Sequence, residues 1–170
     1  MASIFTRIIK GELNSFKIFE DDDYFAFLDA FPVTKGHTLV VPKKEVDYLF
    51  DLDDKTYIGL MLISKKIAVA MKKVIPCKKI SIIVQGLEVP HAHVHLIPFN
   101  KQSDLNFSNK IPVTDIDFKK ISEEISSNMP HAHVHLIPFN KQSDLNFSNK
   151  IPVTDIDFKK ISEEISSNIK

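Results

Sequence analysis

Apolar residues recur in two rhythms along the first part of this chain. Ile4, Phe5, Ile8 and Ile9 fall at helical spacing and Gly11 closes the stretch, which predicts a short helix. Phe16 to Phe19 alternates weakly, as an edge strand does, and Asp21-Asp22-Asp23 reads as a solvated turn. Tyr24–Leu28 and His37–Val41 read as two strands flanking a Phe-Pro-Val-Thr-Lys-Gly turn. From Asp53 to Val74 the period lengthens. Tyr57, Leu60, Met61, Ser64, Ile67, Ala68, Met71 and Val74 form one helical stripe, and Pro76 stops it. Ile80–Val84 and His91–Pro98 are predicted strands, and Phe118, Ile121 and Ile125 mark a short amphipathic helix after a polar stretch. Successive strands with short links favour an α+β fold: an antiparallel sheet of five strands with helices on one face.

The second part of the chain repeats itself. Pro90–Asn128 and Pro130–Asn168 are identical at an offset of 40 residues. Repeat proteins diverge and repeat from the start, so this is a tandem duplication or an artefact of gene assembly, not a solenoid. Residues 1–128 then form one complete α+β domain. Residues 129–170 form an accessory, disordered or swapped tail, because the second copy begins at a strand with nothing before it to pair with. Both copies could fill the same slot beside Ile80–Val84. The first reaches it through a short turn at Gly86. The second must loop out about 40 residues, at a cost of about 3 kcal/mol, so the first should hold the slot more than ~99% of the time. His131, His133 and His135 are therefore expected to be non-catalytic.

Composition narrows the function classes. With 22 basic and 22 acidic residues the net charge is zero, which argues against a field that gathers nucleic acid or anionic membrane. No apolar run reaches about 18 residues and the N-terminus has no signal-peptide pattern, so neither a membrane span nor a leader is expected. The one cysteine, Cys77, fits a reducing cytoplasm and reads as a small half-buried hydrophobe. Lys43 and Lys44 read as a solvated loop.

All seven histidines sit at motif positions: His37, the trio His91, His93 and His95, and the duplicate trio. On a strand, residues two apart share a face at a spacing of about 6.6 Å. The trio forms a row while Ala92, Val94 and Leu96 turn to the core. Imidazole can attack a phosphate ester, hold its oxygens and protonate a leaving group near neutral pH. The middle residue has a donor on each side and is the geometric choice for nucleophile. Zinc binding by alternate histidines, or a structural role, is the alternative at this point.

His91-Ala92-His93-Val94-His95-Leu96-Ile97 resembles the signature of the histidine triad family of nucleotide hydrolases and transferases. Ser3–Glu12, Phe25–Asp29 and Gly36–Lys44 are similar to that family's opening and nucleoside-binding strands. The resemblance covers Met1 to about Asn128. It implies a two-fold dimer acting on a purine nucleotide, with no cofactor and no metal. His93 would attack the α-phosphorus and form a transient nucleotidyl-histidine. His95 would hydrogen-bond a phosphate oxygen, His91 would orient the row, and His37 would support His93. Asp29 would bind the ribose hydroxyls, with Ile4, Phe5, Ile8 and Phe27 around the base. Gly86 would allow close approach of the phosphate. The sequence departs from the family at Leu87, which replaces a glutamine, and at Glu88, where a small polar residue often faces the leaving group. No asparagine equivalent is assignable. A carboxylate there repels polyphosphate, so an amine leaving group, as in a phosphoramidate, is favoured. A dinucleoside polyphosphate hydrolase and a non-catalytic nucleotide- or partner-binding protein are the competing readings.

Overall fold

In the computed structural model the alternating segments build one five-stranded antiparallel sheet. The structure describes residues 2–129, Lys160 and Ser167. The chain divides into two compact units, Met1–His131 and Ala132–Lys170, and the first carries every element below. Of the second copy only Lys160 and Ser167 are described, so the expectations for it, including those for His131, His133 and His135, lie outside the described residues.

Helix α1 (Ile4–Ile9) is capped by Ser3, whose side chain accepts the Thr6 N–H, and ends before Gly11 at φ +74°. Strands β1 (Lys17–Glu20) and β2 (Tyr24–Leu28) form a hairpin. Its turn is held by Asp21 Oδ1, which accepts the N–H groups of Asp23 and Tyr24. Strand β3 (Thr38–Pro42) pairs with β2. Helix α2 (Asp54–Val74) is capped by Asp53 and buries Leu60, Ile63, Ser64, Ile67, Ala70 and Met71. Strands β4 (Lys79–Ile83) and β5 (Val94–Phe99) complete the sheet in the order β1-β2-β3-β5-β4. Helix α3 (Asp115–Ser127), capped by Thr114, stacks Phe118 on Phe16 at 5.0 Å.

Period-2 alternation divides the sheet residues into two cores. Tyr24, Ala26, Leu28, Val40, Val94 and Leu96 pack with the buried stripes of α2 and α3. Truncating a fully buried member such as Leu60 or Ile67 to Ala would cost about 2–5 kcal/mol. Phe25, Phe27, Leu39 and Val41 face the other way and pack with Phe5, Ile8 and Ile9 of α1. Two expectations change here. The helices do not share one face, because α1 covers the side opposite α2 and α3. The histidine segment joins the ladder only at Val94, because the Ala92 N–H leaves the sheet to meet the Val46 carbonyl at 2.6 Å. Met129, placed with the repeat by its position, is buried in the first unit's core. No helix among the described residues is long and apolar enough to cross a membrane.

Candidate active site

Sheet register carries the histidines to the α1 side. Leu39 pairs with His95 and Val40 with Val94, so His95 shares the face of Leu39 while Val94 shares the core face of Val40. Ala92, Val94 and Leu96 are buried in the large core, as alternation requires. Facing α1 is a cavity of about 590 Å³. Ile4, Phe5, Ile8, Phe27, Asp29, Glu88, His93 and His95 line it, all of them residues singled out from the sequence. Phe31, Gln85, Val89, Phe107 and Lys110 line it too, with no site role expected from the sequence, as does Leu39 from the stretch similar to a nucleoside-binding strand. Phe107 and Lys110 lie in the polar stretch after β5, where no periodicity singles out a residue. Their only local signal is an aromatic and a cation among small polar residues.

His37, His91 and Gly86 are not on the cavity wall. His37 and His91 have no exposed surface, and Gly86 packs against the His93 ring. Lys43 and Lys44 are also elsewhere, paired with Glu20 and Asp53.

Hydrogen-bond partners determine the histidine tautomers, because a carbonyl can only accept and a backbone N–H can only donate. His37 Nδ1 accepts the Val33 N–H at 3.3 Å, so its Nε2–H donates to His95 Nδ1 at 2.9 Å. His95 Nε2–H then donates to the Gln85 carbonyl at 2.8 Å. His91 Nε2–H donates to the Pro42 carbonyl at 2.8 Å, which leaves Nδ1 to accept from the Ser3 hydroxyl at 2.9 Å. His93 Nδ1–H donates to the His91 carbonyl at 2.6 Å. One ring nitrogen of the four histidines, His93 Nε2, has no hydrogen-bond partner among the described residues. Its lone pair belongs to a ring on the cavity wall.

Burial keeps the supporting rings neutral. Desolvation drives His37 and His95 down to about 4, outweighing the nearby Asp29 carboxylate, which acts the other way on both. Desolvation also lowers His91. The Asp29 carboxylate lies 3.4 Å from His37 Nδ1, and its other oxygen accepts the Phe31 N–H at 2.9 Å. Aromatic edges hold the rings in place. Phe5 meets His93 at 5.1 Å and Phe27 at 5.5 Å, and Phe107 meets His95 at 5.0 Å.

Asp29, His37 and His95 bring one ligand-type atom each within 4.8 Å of one another. The ring nitrogens of that set are committed to Val33, to each other and to Gln85. A metal would have to break these bonds before it could coordinate, so the cluster has the form of a hydrogen-bond relay.

The HIT domain profile matches residues 10–102. An uncharacterised HIT-like protein of Borreliella burgdorferi is 38% identical over 135 residues, 74% of this chain and 97% of that one. The adenosine 5'-monophosphoramidase HNT1 of Saccharomyces cerevisiae is 35% identical over 127 residues, 72% of this chain and 77% of that one. Among solved structures, a Hit-like protein of Bartonella henselae aligns at TM-score 0.66 and 30% identity, covering 75% of this chain and 96% of that one.

Proposed function

The chain belongs to the HIT domain family, whose members include named hydrolases, and from that premise we propose that it is a nucleoside phosphoramidase-like hydrolase working through His93. One observation carries the reading: His93 Nδ1–H is tied to the His91 carbonyl, so the ring's lone pair is on Nε2, and that nitrogen has no other partner among the described residues. Nε2 attacks the α-phosphorus, the P–N bond breaks, and the departing nitrogen takes a proton from solvent water and leaves as an amine. Water then cleaves the nucleotidyl-histidine, releasing the nucleoside monophosphate and restoring the imidazole. His95 passes its Nε2–H from the Gln85 carbonyl to a phosphate oxygen. Asp29 receives the ribose hydroxyls, and Ile4, Phe5, Ile8 and Phe27 hold the purine.

A second reading, cleavage of dinucleoside polyphosphates, is favoured by Lys110. It lines the same cavity as Glu88, and its ammonium lies 5.4 Å from the Phe107 ring centroid with no ion pair among the described residues. Glu88 favours an amine leaving group and Lys110 an anionic one. The ratio of kcat/KM for adenosine phosphoramidate and for a diadenosine polyphosphate decides between them.

We place the working site in residues 1–128 of a homodimer. The exposed apolar side chains Ile58, Leu62 and Val69 of α2 and Ile82 of the edge strand β4 are the surface a second copy would cover. Light scattering measures that assembly. The test of function is intact-protein mass after brief exposure to adenosine phosphoramidate. A transient adenylate adduct is expected on the wild type and absent from His93→Ala. An adduct on both would return the second histidine trio to the site. No adduct on either, with adenosine monophosphate still bound, would make the protein a binding module.

A further inference from the structure

Ser3 is buried, with only 5% of its surface exposed, and it joins two parts of the site that are 88 residues apart in sequence. It starts α1, the helix that brings Phe5 against the ring of His93. Its oxygen accepts the Thr6 N–H at 3.1 Å, and its single hydrogen has two acceptors in reach, Thr6 Oγ1 at 3.1 Å and His91 Nδ1 at 2.9 Å, of which the His91 nitrogen is the nearer. The His91 Nε2–H is already held by the Pro42 carbonyl, which leaves Nδ1 as the acceptor, and no other group among the described residues donates to it. The same corner is tied to the end of β3 through Glu45. Its carboxylate accepts the Ser3 N–H at 3.1 Å and the Thr6 hydroxyl. Two links lead from His91 to the reacting atom: its carbonyl accepts the His93 Nδ1–H, and the lone pair on His93 Nε2 follows from that bond.

We propose that Ser3 is a positioning residue for the reaction: its hydroxyl clamps His91 in place and so aims His93 Nε2 while fixing the helix that carries the purine wall. The proposal rests on His93 being the nucleophile. Capping alone would be satisfied by any good N-cap side chain, but the clamp needs an O–H donor. Asp caps as well as Ser but has no proton to give, and its carboxylate would face the lone pair of His91 Nδ1. Thr keeps both abilities. The substitutions Ser3→Asp and Ser3→Thr therefore separate the two roles in the full-length chain.

The experiment is single-turnover adenylate-adduct formation from adenosine phosphoramidate by wild type, S3T, S3A, S3D and His93→Ala, with thermal unfolding and imidazole 15N spectra recorded alongside. S3D is expected to form adduct about 10–100-fold more slowly, the scale of a misaimed reacting group, and to melt below the wild type because its carboxylate is buried beside that of Glu45. Its His91 and His93 nitrogen resonances should both shift. S3A should lose rate similarly and some stability as well, and S3T should restore the rate and the resonances. S3D reacting at the wild-type rate, or His93 resonances that do not move in S3D and S3A, would overturn the proposal. If His93→Ala still forms adduct, the nucleophile assignment fails and the clamp fails with it. If His93→Ala is dead while S3D is fully active, only the clamp fails.

Discussion

A methyl group added at Gly86 should silence the site without unfolding the protein. A Cβ built on Gly86 would sit 2.4 Å from His93 Cε1 and 2.6 Å from His93 Nε2, where ordinary contact begins at 3.4 Å. The shortfall at Cε1 is 3.4 − 2.4 = 1.0 Å. The His93 ring cannot swing clear cheaply. Its Nδ1–H is held by the His91 carbonyl at 2.6 Å, and Phe5 and His95 close on it at 5.1 and 4.9 Å. The methyl stands against the Cε1–Nε2 edge, where the α-phosphorus must approach. Either the ring tilts or the 84–90 turn moves by that ångström, and a 1 Å misplacement costs about 10²-fold in rate. Gly86 does not have a positive φ, so Ala is conformationally acceptable there. The turn is exposed and can yield. Its strain is offset by the roughly 0.4–1 kcal/mol gained from a stiffer unfolded chain. Gly86→Ala should thus leave the unfolding midpoint near that of the wild type and lower the single-turnover rate about 100-fold. Wild-type turnover by a folded Gly86→Ala protein would refute the packing of Gly86 on the nucleophile's edge.

Acid should destabilise the protein through buried imidazoles. Folding lowers His37 and His95 to about 4 from an unfolded value of about 6.5. Above 6.5 neither state is protonated and nothing is lost. Between 6.5 and about 4 the unfolded chain takes up protons that the folded chain refuses, so stability falls as pH falls; below 4 both states are protonated and the loss levels off. For the pair the loss is on the order of a few kcal/mol, and urea unfolding at pH 7, 5.5 and 4.5 measures it. A flat profile would contradict the burial of these rings. Asp29→Asn keeps an oxygen for the Phe31 N–H but gives up the carboxylate proposed for the ribose. It should raise KM about tenfold for a ribonucleotide substrate and much less for its 2'-deoxy analogue. Equal losses for the two sugars would remove Asp29 from the ribose site.

The parts of the fold that were legible in the sequence are those whose cause is local. Tyr24–Leu28 is apolar throughout because it lies between two apolar layers, and the α2 stripe repeats because one face is buried. The spacing of Ala92, Val94 and Leu96 alone assigned them to the core and their histidine neighbours to the opposite face. What was not legible depends on contacts distant in sequence. The period of α1 says that it has an apolar face, but not which side of the sheet that face covers. The aromatic residues Phe25 and Phe27 decide that. Alternation continues to His91 and predicts a strand beginning at that residue. The strand begins at Val94 because the Val46 carbonyl captures the Ala92 N–H. In the sequence Ser3 stands out only as the first residue of the Ser3–Glu12 stretch. Its bond to His91 spans 88 residues and has no signature in either segment. Phe107 and Lys110 reach the cavity on an irregular stretch anchored by the Ile111 N–H on the Pro32 carbonyl.

The identical second copy tests how far contacts alone determine a structure. Residues 90–128 and 130–168 offer the same side chains to β3, β4 and α2, so pairing energies cannot choose between them. Chain connection can. The link from β4 to the histidine segment is the short stretch 84–90, which also carries the Gln85 carbonyl that holds His95 and the Gly86 that packs on His93. A second copy in the slot would need a loop of about 40 residues there, at a cost of about 3 kcal/mol, and would release that stretch from the site. Every cavity residue and every supporting hydrogen bond described lies within residues 2–129, and Met129 supplies the last buried contact. Deleting residues 130–168, which joins Met129 to Ile169-Lys170, should therefore leave kcat/KM and the unfolding midpoint unchanged. If the shortened chain fails to fold or loses activity while His93→Ala in the full chain stays active, the second copy is the one that completes the site. The loop-closure cost would then have been outweighed by contacts that only the longer chain can make.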